Sequence, residues 1–197
     1  LLFSGEHIAD KEEVVELKRR NHAIRKPDAS YLVHLYEEHG AYDFVRRLNG
    51  CFHGALVDMR IKKAFVFNDL FGADSLYFYR TNSGIYFSPE TTPLLDGCPE
   101  LRAVDSHAVI ETLRFGETLD QRPVLSRLEI VSPGSLWKIE RGEILERGSY
   151  FQSKEWESQT LLGHDYFCER FKESLMRIVP RYLRNERPIG CQVTKGS

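Results

Sequence analysis

The sequence predicts an α+β fold built from layered antiparallel sheets, and three observations carry that reading. Gly50–Asp58 and Ala64–Asp69 are short apolar runs joined by the basic connector Arg60–Lys63, the pattern of a hairpin. Both runs are nearly continuous in apolar character, around Ala55, Leu56 and Val57 and again around Phe65, Val66 and Phe67, so both faces of the sheet need a cover. Segments with helical periodicity and capping residues stand before and after the pair, and strand signals return beyond them.

Element by element, a first helix is expected from Asp10 to Asn21, with Asp10 as N-cap, Glu13 completing a capping box, and Val14, Val15 and Leu17 as its apolar face. A second runs from Ala29 to His39, with Leu32, Leu35 and Tyr36 as its core stripe and Gly40 as its stop. After the hairpin, a Phe71-Gly72 turn leads into a third strand at Leu76–Tyr79. A third helix, Ser106–Phe115, is capped by Asp105 and ended by Gly116. Strands follow at Glu129–Val131, Ser135–Glu140 and Ile144–Tyr150, the last two joined by an Arg141-Gly142 turn. The polar stretch Gln152–Thr160 reads as a linker. An amphipathic helix, Asp165–Val179, with Phe167, Phe171, Leu175 and Ile178 at helical spacing, would open a second domain.

Several motifs in this frame resemble the glutaminase half of the glutamine-hydrolysing asparagine synthetases. They are Leu48-Asn49-Gly50-Cys51-Phe52, Ala55-Leu56-Val57-Asp58, Asp69-Leu70-Phe71-Gly72 and Leu76-Tyr77-Phe78-Tyr79, in that order. Upstream, Phe3-Ser4-Gly5-Glu6 resembles the family's Asn-Gly-Glu segment, Pro27-Asp28-Ala29-Ser30 its Ser-Asp-Thr-Glu, and Leu35-Tyr36-Glu37-Glu38-His39-Gly40 its Leu-Tyr-Glu-Glu-x-Gly. Downstream, Ser88-Pro89-Glu90 with Leu94-Leu95, and Ser132-Pro133-Gly134, also match. The resemblance implies an N-terminal nucleophile hydrolase-like αββα sandwich over residues 1–151. It further implies a linker at 152–160 and the start of an α/β ATP-pyrophosphatase-type domain at 161–197. The chain begins at Leu1 without a methionine, and its first residues look like the interior of a fold rather than a targeting signal, so a preceding segment is expected. Its end, Pro188–Ser197, falls where the family places its pyrophosphate loop.

What the resemblance implies about chemistry follows residue by residue. An amino-terminal cysteine attacks the side-chain amide of glutamine, its own α-amine acting as base, and water later cleaves the thioester. Ser4 and Gly5 match the oxyanion-hole positions, Ser4 offering a hydroxyl where the family has a longer amide. Asp28 matches the carboxylate that pairs with the α-amino group of glutamine, and Glu6 an acidic residue lining the same pocket. Thr194, Gly196 and Ser197 can be laid on the ATP loop, with Lys195 where a glycine is expected. The expected cofactors are ATP and Mg2+. The expected partners are glutamine and aspartate or another carboxylate acceptor, with a homodimer left open. The runner-up is a glutaminase-like scaffold without activity, attached to an adenylating domain as in the β-lactam synthetases, and Ser4 favours it.

Composition describes an ordinary globular chain. A net charge of −2 with 42% hydrophobic and 28% charged residues gives no basic surplus for nucleic acid, and no apolar run approaches a membrane span. Cys51, Cys98, Cys168 and Cys191 are widely separated, so neither a disulfide framework nor a zinc site is expected, and a reducing cytoplasm is the simplest setting. The plainer readings are equally definite. Cys51 is expected as a packed thiol within a strand, and Ser4-Gly5-Glu6 in isolation as a turn before a helix. Phe71, Tyr77, Phe78, Tyr79 and Phe87 are expected in the core. His34 and His39, five residues apart, do not share a helical face as a metal pair would.

Overall fold

The computed structural model describes residues 1–24, 29–119, 122–152 and 154–183. Among the described residues the strands are β1 (Leu2–Gly5), β2 (Phe52–Asp58), β3 (Lys63–Asn68), β4 (Tyr77–Thr81), β5 (Gly84–Ser88), β6 (Glu129–Ile130), β7 (Ser135–Glu140) and β8 (Glu143–Ser149). Among these described residues the helices are α1 (Lys11–Arg19), α2 (Ala29–Arg47), α3 (Thr91–Gly97), α4 (Ser106–Phe115), α5 (Lys154–Glu157) and α6 (His164–Tyr182), with a 3-10 turn at Pro99–Arg102.

All pairings are antiparallel. One sheet has the order β1-β2-β3-β7-β8 and the other β5-β4-β6. Alternation along β2 and β3 decides how the sheets stack. Phe52, Leu56, Phe65 and Phe67 point to one face, where they meet Leu17, Tyr31, Leu32, Leu35, Phe44 and Val45 from α1 and α2. Ala55 and Val66 point to the other, where Trp137 of β7 meets Phe78 of β4 edge to face at 4.7 Å. The far side of the smaller sheet carries Tyr77 and Tyr79 against Leu94, Cys98, Leu101 and Leu128. The layers are therefore helices, sheet, sheet, helices: an αββα sandwich with three stacked cores.

Several local expectations hold for the reason given. Asp10 caps α1 through Glu12 N–H at 3.0 Å, and Asp105 caps α4 through His107 and Ala108 N–H. Gly116 closes α4 with φ 85°. Others change. Glu13 is turned away from the expected capping box: its carboxylate accepts from Tyr31 Oη at 2.8 Å and from Arg47 at 2.8 Å. Gly40 breaks the second helix with φ 71°, yet helical turns resume beyond it to Arg47, because Phe44 and Val45 still have core to fill. Val15 is half exposed, and Phe71, expected in the core, stands 72% exposed on its turn. That turn is organised instead by the buried Asp69, whose carboxylate accepts from Phe71, Ala73 and Phe52 N–H groups. Strand β5 and helix α3, which the sequence reading leaves unassigned, pair with and cover β4.

Beyond the sandwich, α5 lies within the stretch read as a linker, and Trp156 packs on Phe151 at 4.6 Å. Helix α6 exposes its stripe of Phe167, Phe171, Leu175 and Ile178. Its last turn reaches the sandwich by polar contacts: Arg181 to Asp10 at 2.8 Å, and Tyr182 Oη to Asn49 Oδ1 at 3.0 Å.

Candidate functional site

The residues Ser4-Gly5-Glu6 do not form a turn before a helix. Ser4 and Gly5 end β1, the edge strand of the larger sheet, in register with His53 and Phe52 of β2. Glu6 N–H then donates to the Cys51 carbonyl at 2.8 Å and Ile8 N–H to Asn49 O at 2.8 Å, so the chain leaving β1 stays laced to the Leu48-Asn49-Gly50 segment.

That lacing needs two glycines. Gly5 has φ 104°, and a Cβ on it would sit 2.2 Å from the Cys51 carbonyl oxygen. Gly50 has φ 138°, and its Cβ would sit 2.1 Å from the Glu6 carbonyl oxygen. The two backbones cross with no room for a side chain on either. The glycine of Leu-Asn-Gly therefore exists to bring the end of β1 close, and with it the Ser4-Gly5-Glu6 segment. Cys51, beside this crossing, is exposed at a bend before β2 and not packed within the strand as expected, since β2 begins only at Phe52.

Ser4 and His53 are cross-strand neighbours, so their side chains share the face turned toward the smaller sheet. There a cavity of about 280 Å³ opens between the sheets, lined by Leu2, Ser4, His53, Ala55, Phe87 and Pro89 among others. His53 is 7% exposed, and neither ring nitrogen has a hydrogen-bond partner among the described residues. A buried imidazole left so is costly. The sequence reading missed it; its one signal is a polar residue at an inward position of an otherwise apolar strand.

On the opposite side of the crossing, His7 accepts the Asn49 N–H on Nδ1 at 3.1 Å and stacks on Tyr31, ring centroids 5.8 Å apart. Burial pushes its pKa down, only partly offset by Glu13. Burial and the hydrogen bond to Glu13 push the Tyr31 phenol far above its ordinary range, so it is a fixed donor.

Ser4, Gly5 and Glu6 thus stand together, exposed, at the open sheet edge. Asp28, and Thr194, Gly196 and Ser197, lie outside the described residues. A second recess of about 370 Å³, around Tyr77, Thr112 and Arg122, holds none of the predicted residues.

An αββα sandwich of antiparallel sheets is the fold class of the N-terminal nucleophile hydrolases. The family model described as "Glutamine amidotransferase domain" matches residues 1–151, and the chain belongs to that family. It is similar to asparagine synthetase [glutamine-hydrolyzing] 2 of Lotus japonicus, 37% identical over 87 residues, which cover 42% of this chain and 15% of that protein. It is also similar to asparagine synthetase [glutamine-hydrolyzing] of Asparagus officinalis, 24% identical over 185 residues, 92% of this chain and 26% of that one. The chain thus spans about a quarter or less of the length of these relatives. Among solved structures it resembles a glutamine phosphoribosylpyrophosphate amidotransferase from B. subtilis, with TM-score 0.51, 13% identity, 76% of this chain and 28% of that chain covered. That likeness bears on the fold. No helix among the described residues is long and apolar enough to cross a membrane.

Proposed function

We propose that this chain is the glutamine-hydrolysing part of an asparagine synthetase-type amidotransferase, releasing ammonia for ATP-dependent amidation of aspartate or a related carboxylate. The observation that carries the reading is the Gly5/Gly50 crossing, which holds Ser4-Gly5-Glu6 at a strand edge beside the cavity. The Glu6 N–H is taken by Cys51, and alternation along an antiparallel ladder directs the Gly5 N–H to the open side, where an oxyanion would form.

In the reaction a cysteine thiolate adds to the side-chain amide carbon of glutamine, and the C=O pair moves onto oxygen. The Gly5 N–H and Ser4 hydroxyl stabilise that oxyanion. The C–N bond then breaks, ammonia leaves with a proton from the α-amine, and water hydrolyses the thioester to glutamate. Asp28 and Glu6 would hold the amino-acid end of the substrate. ATP, with Mg2+, would activate the acceptor as an acyl-adenylate; the residues laid on its loop, Thr194, Gly196 and Ser197, lie outside the described residues, and no step is assigned to them.

Ser4 favours a second reading, in which the sandwich is a scaffold for an adenylating domain and does not hydrolyse glutamine. Glutamate release by the full-length protein separates the two. The amidotransferase reading expects release that falls when Asp28→Asn is made and rises with Ser4→Asn, since one oxyanion donor is worth about 10²–10³ in rate. Absence of release from both the unaltered protein and Ser4→Asn would leave the scaffold.

A further inference from the structure

Away from this site, at the outer helical layer, three ligand-type atoms converge. His22, just past the C-terminal end of α1, and His34 and Glu37, on the first half of α2, place one donor atom each within 4.8 Å of one another. His22 Nδ1 lies 3.1 Å from His34 Nδ1, and His34 Nδ1 lies 3.0 Å from Glu37 Oε2.

The protons decide what this means. His22 Nε2 is 2.8 Å from Glu38 Oε1, and Arg20 holds the other Glu38 oxygen at 2.6 Å. The Glu38 carboxylate, paired with the Arg20 guanidinium, is an acceptor only. The His22 proton therefore sits on Nε2, and its Nδ1 turns a lone pair toward His34. That lone pair and the Glu37 carboxylate both face His34 Nδ1. The space between the three atoms holds either one shared proton on His34 or a cation.

We propose that His22, His34 and Glu37 form a binding site for a borderline divalent cation, Zn2+ foremost, with solvent as the fourth ligand. The His22–His34 and His34–Glu37 donor pairs, 3.1 and 3.0 Å apart, would subtend roughly 95° at a metal about 2.0–2.1 Å from each atom, and the third pair lies within 4.8 Å. The donor set, two imidazoles and one carboxylate, suits that class of ion. Glu38 on the far nitrogen of His22 is the carboxylate–histidine arrangement that orients a ligating ring. Opposing charge is modest: Arg60 approaches the other oxygen of Glu37 only at 3.9 Å, and Arg20 is engaged by Glu16 and Glu38. The ion would clip the end of α1 to α2 across the chain segment that contains Asp28. The sequence reading tested His34 against His39, its neighbour in sequence, and overlooked His22, which folding brings to it.

The test is titration of the chelator-treated full-length protein with ZnCl2 by calorimetry, and with Co2+ followed by absorption. One equivalent binds with micromolar affinity or better. The Co2+ complex shows visible ligand-field bands without thiolate charge transfer, which sets it apart from the exposed Cys168–His164 pair, 3.7 Å apart. His34→Gln and His22→Gln lower affinity at least 100-fold, and Glu38→Gln lowers it about 10–100-fold, while Cys168→Ser leaves it unchanged. Unfolding curves of each variant without metal, matching the unaltered protein, exclude loss of fold as the cause. Retained binding in His34→Gln, a thiolate band, or no binding below 100-fold the protein concentration overturns the site and leaves a shared proton in its place.

Discussion

The two faces of the five-stranded sheet do different work. On the helix face the core is the larger one: Phe67, Phe44, Leu35 and Tyr31 are each at most 1% exposed, and the tyrosine hydroxyls at its margin are matched, Tyr36 to Asp58 to Arg60 and Tyr31 to Glu13 to Arg47, while His7 Nε2 beside them has no partner among the described residues. On the intersheet face the core is smaller, and toward β1 it opens into a cavity holding an imidazole without a partner. Protein interiors are close-packed and polar groups within them are matched. The face that leaves both nitrogens of a buried ring unmatched, beside Ser4, is where binding should be sought; the face with the larger core supplies most of the stability.

The contrast is broken most directly by truncating one ring on each side. Phe67→Ala removes a fully buried side chain touching Phe44 and Phe52, and should cost about 3–5 kcal/mol. Phe87→Ala removes a ring already lining the cavity and should cost less, about 1–2 kcal/mol. Chemical denaturation of both measures the gap, and equal losses would show the cavity to be as well packed as the helix face.

Next in size is the crossing itself. Gly5→Ala drives a Cβ into the Cys51 carbonyl at a φ that disfavours side chains, and should destabilise by about 2–4 kcal/mol. The cost is bounded because β1 is an edge strand and can peel from β2. Hydrogen exchange should therefore report faster opening of Leu2–Gly5 with β3 and β7 unchanged. Uniform loss of protection would mean that β1 is integral to the core.

The third change has the opposite sign. His53→Leu replaces a buried, unpartnered imidazole with an apolar group of similar size, and should stabilise by about 1 kcal/mol. If glutamate release falls in the same variant, the strain belongs to function, the usual bargain between stability and activity. A loss of stability would show that the ring is satisfied by an ordered water.

How much of this was legible beforehand depends on the range of the interactions. The caps at Asp10 and Asp105, the stop at Gly116 and the β7–β8 hairpin are set by neighbours within a few residues, and the sequence displays them. The order of the motifs displayed the family. Glu13 was misread because its partners, Tyr31 and Arg47, are 18 and 34 residues away. Phe71 was misread because hydrophobicity says nothing of the direction a turn imposes. β1 was hidden since four residues carry no period; only pairing with β2 defines it. At the site, Gly5 reads as a motif, but its need to be glycine is visible only where Gly50 crosses it, and His53 gains meaning only from its register with Ser4.

The smallest effect concerns the other histidine near this strand pair, the partly buried His7 that follows β1. His7 keeps one nitrogen on Asn49 N–H, and its pKa is lowered by burial. Between that lowered value and the ordinary 6.5 the unfolded chain binds a proton that the folded chain refuses. Its contribution is therefore complete above about pH 6.5 and drains as pH falls below it, with a slope of at most about 1.4 kcal/mol per pH unit. His7→Asn keeps an acceptor for Asn49 but cannot titrate, so the difference between the two proteins' unfolding midpoints should be flat from pH 8 to about 6.5 and shift in favour of His7→Asn below it. A difference that stays constant down to pH 5 would mean that the imidazolium finds a counter-charge at Glu13, and that the helix face tolerates a charged ring there.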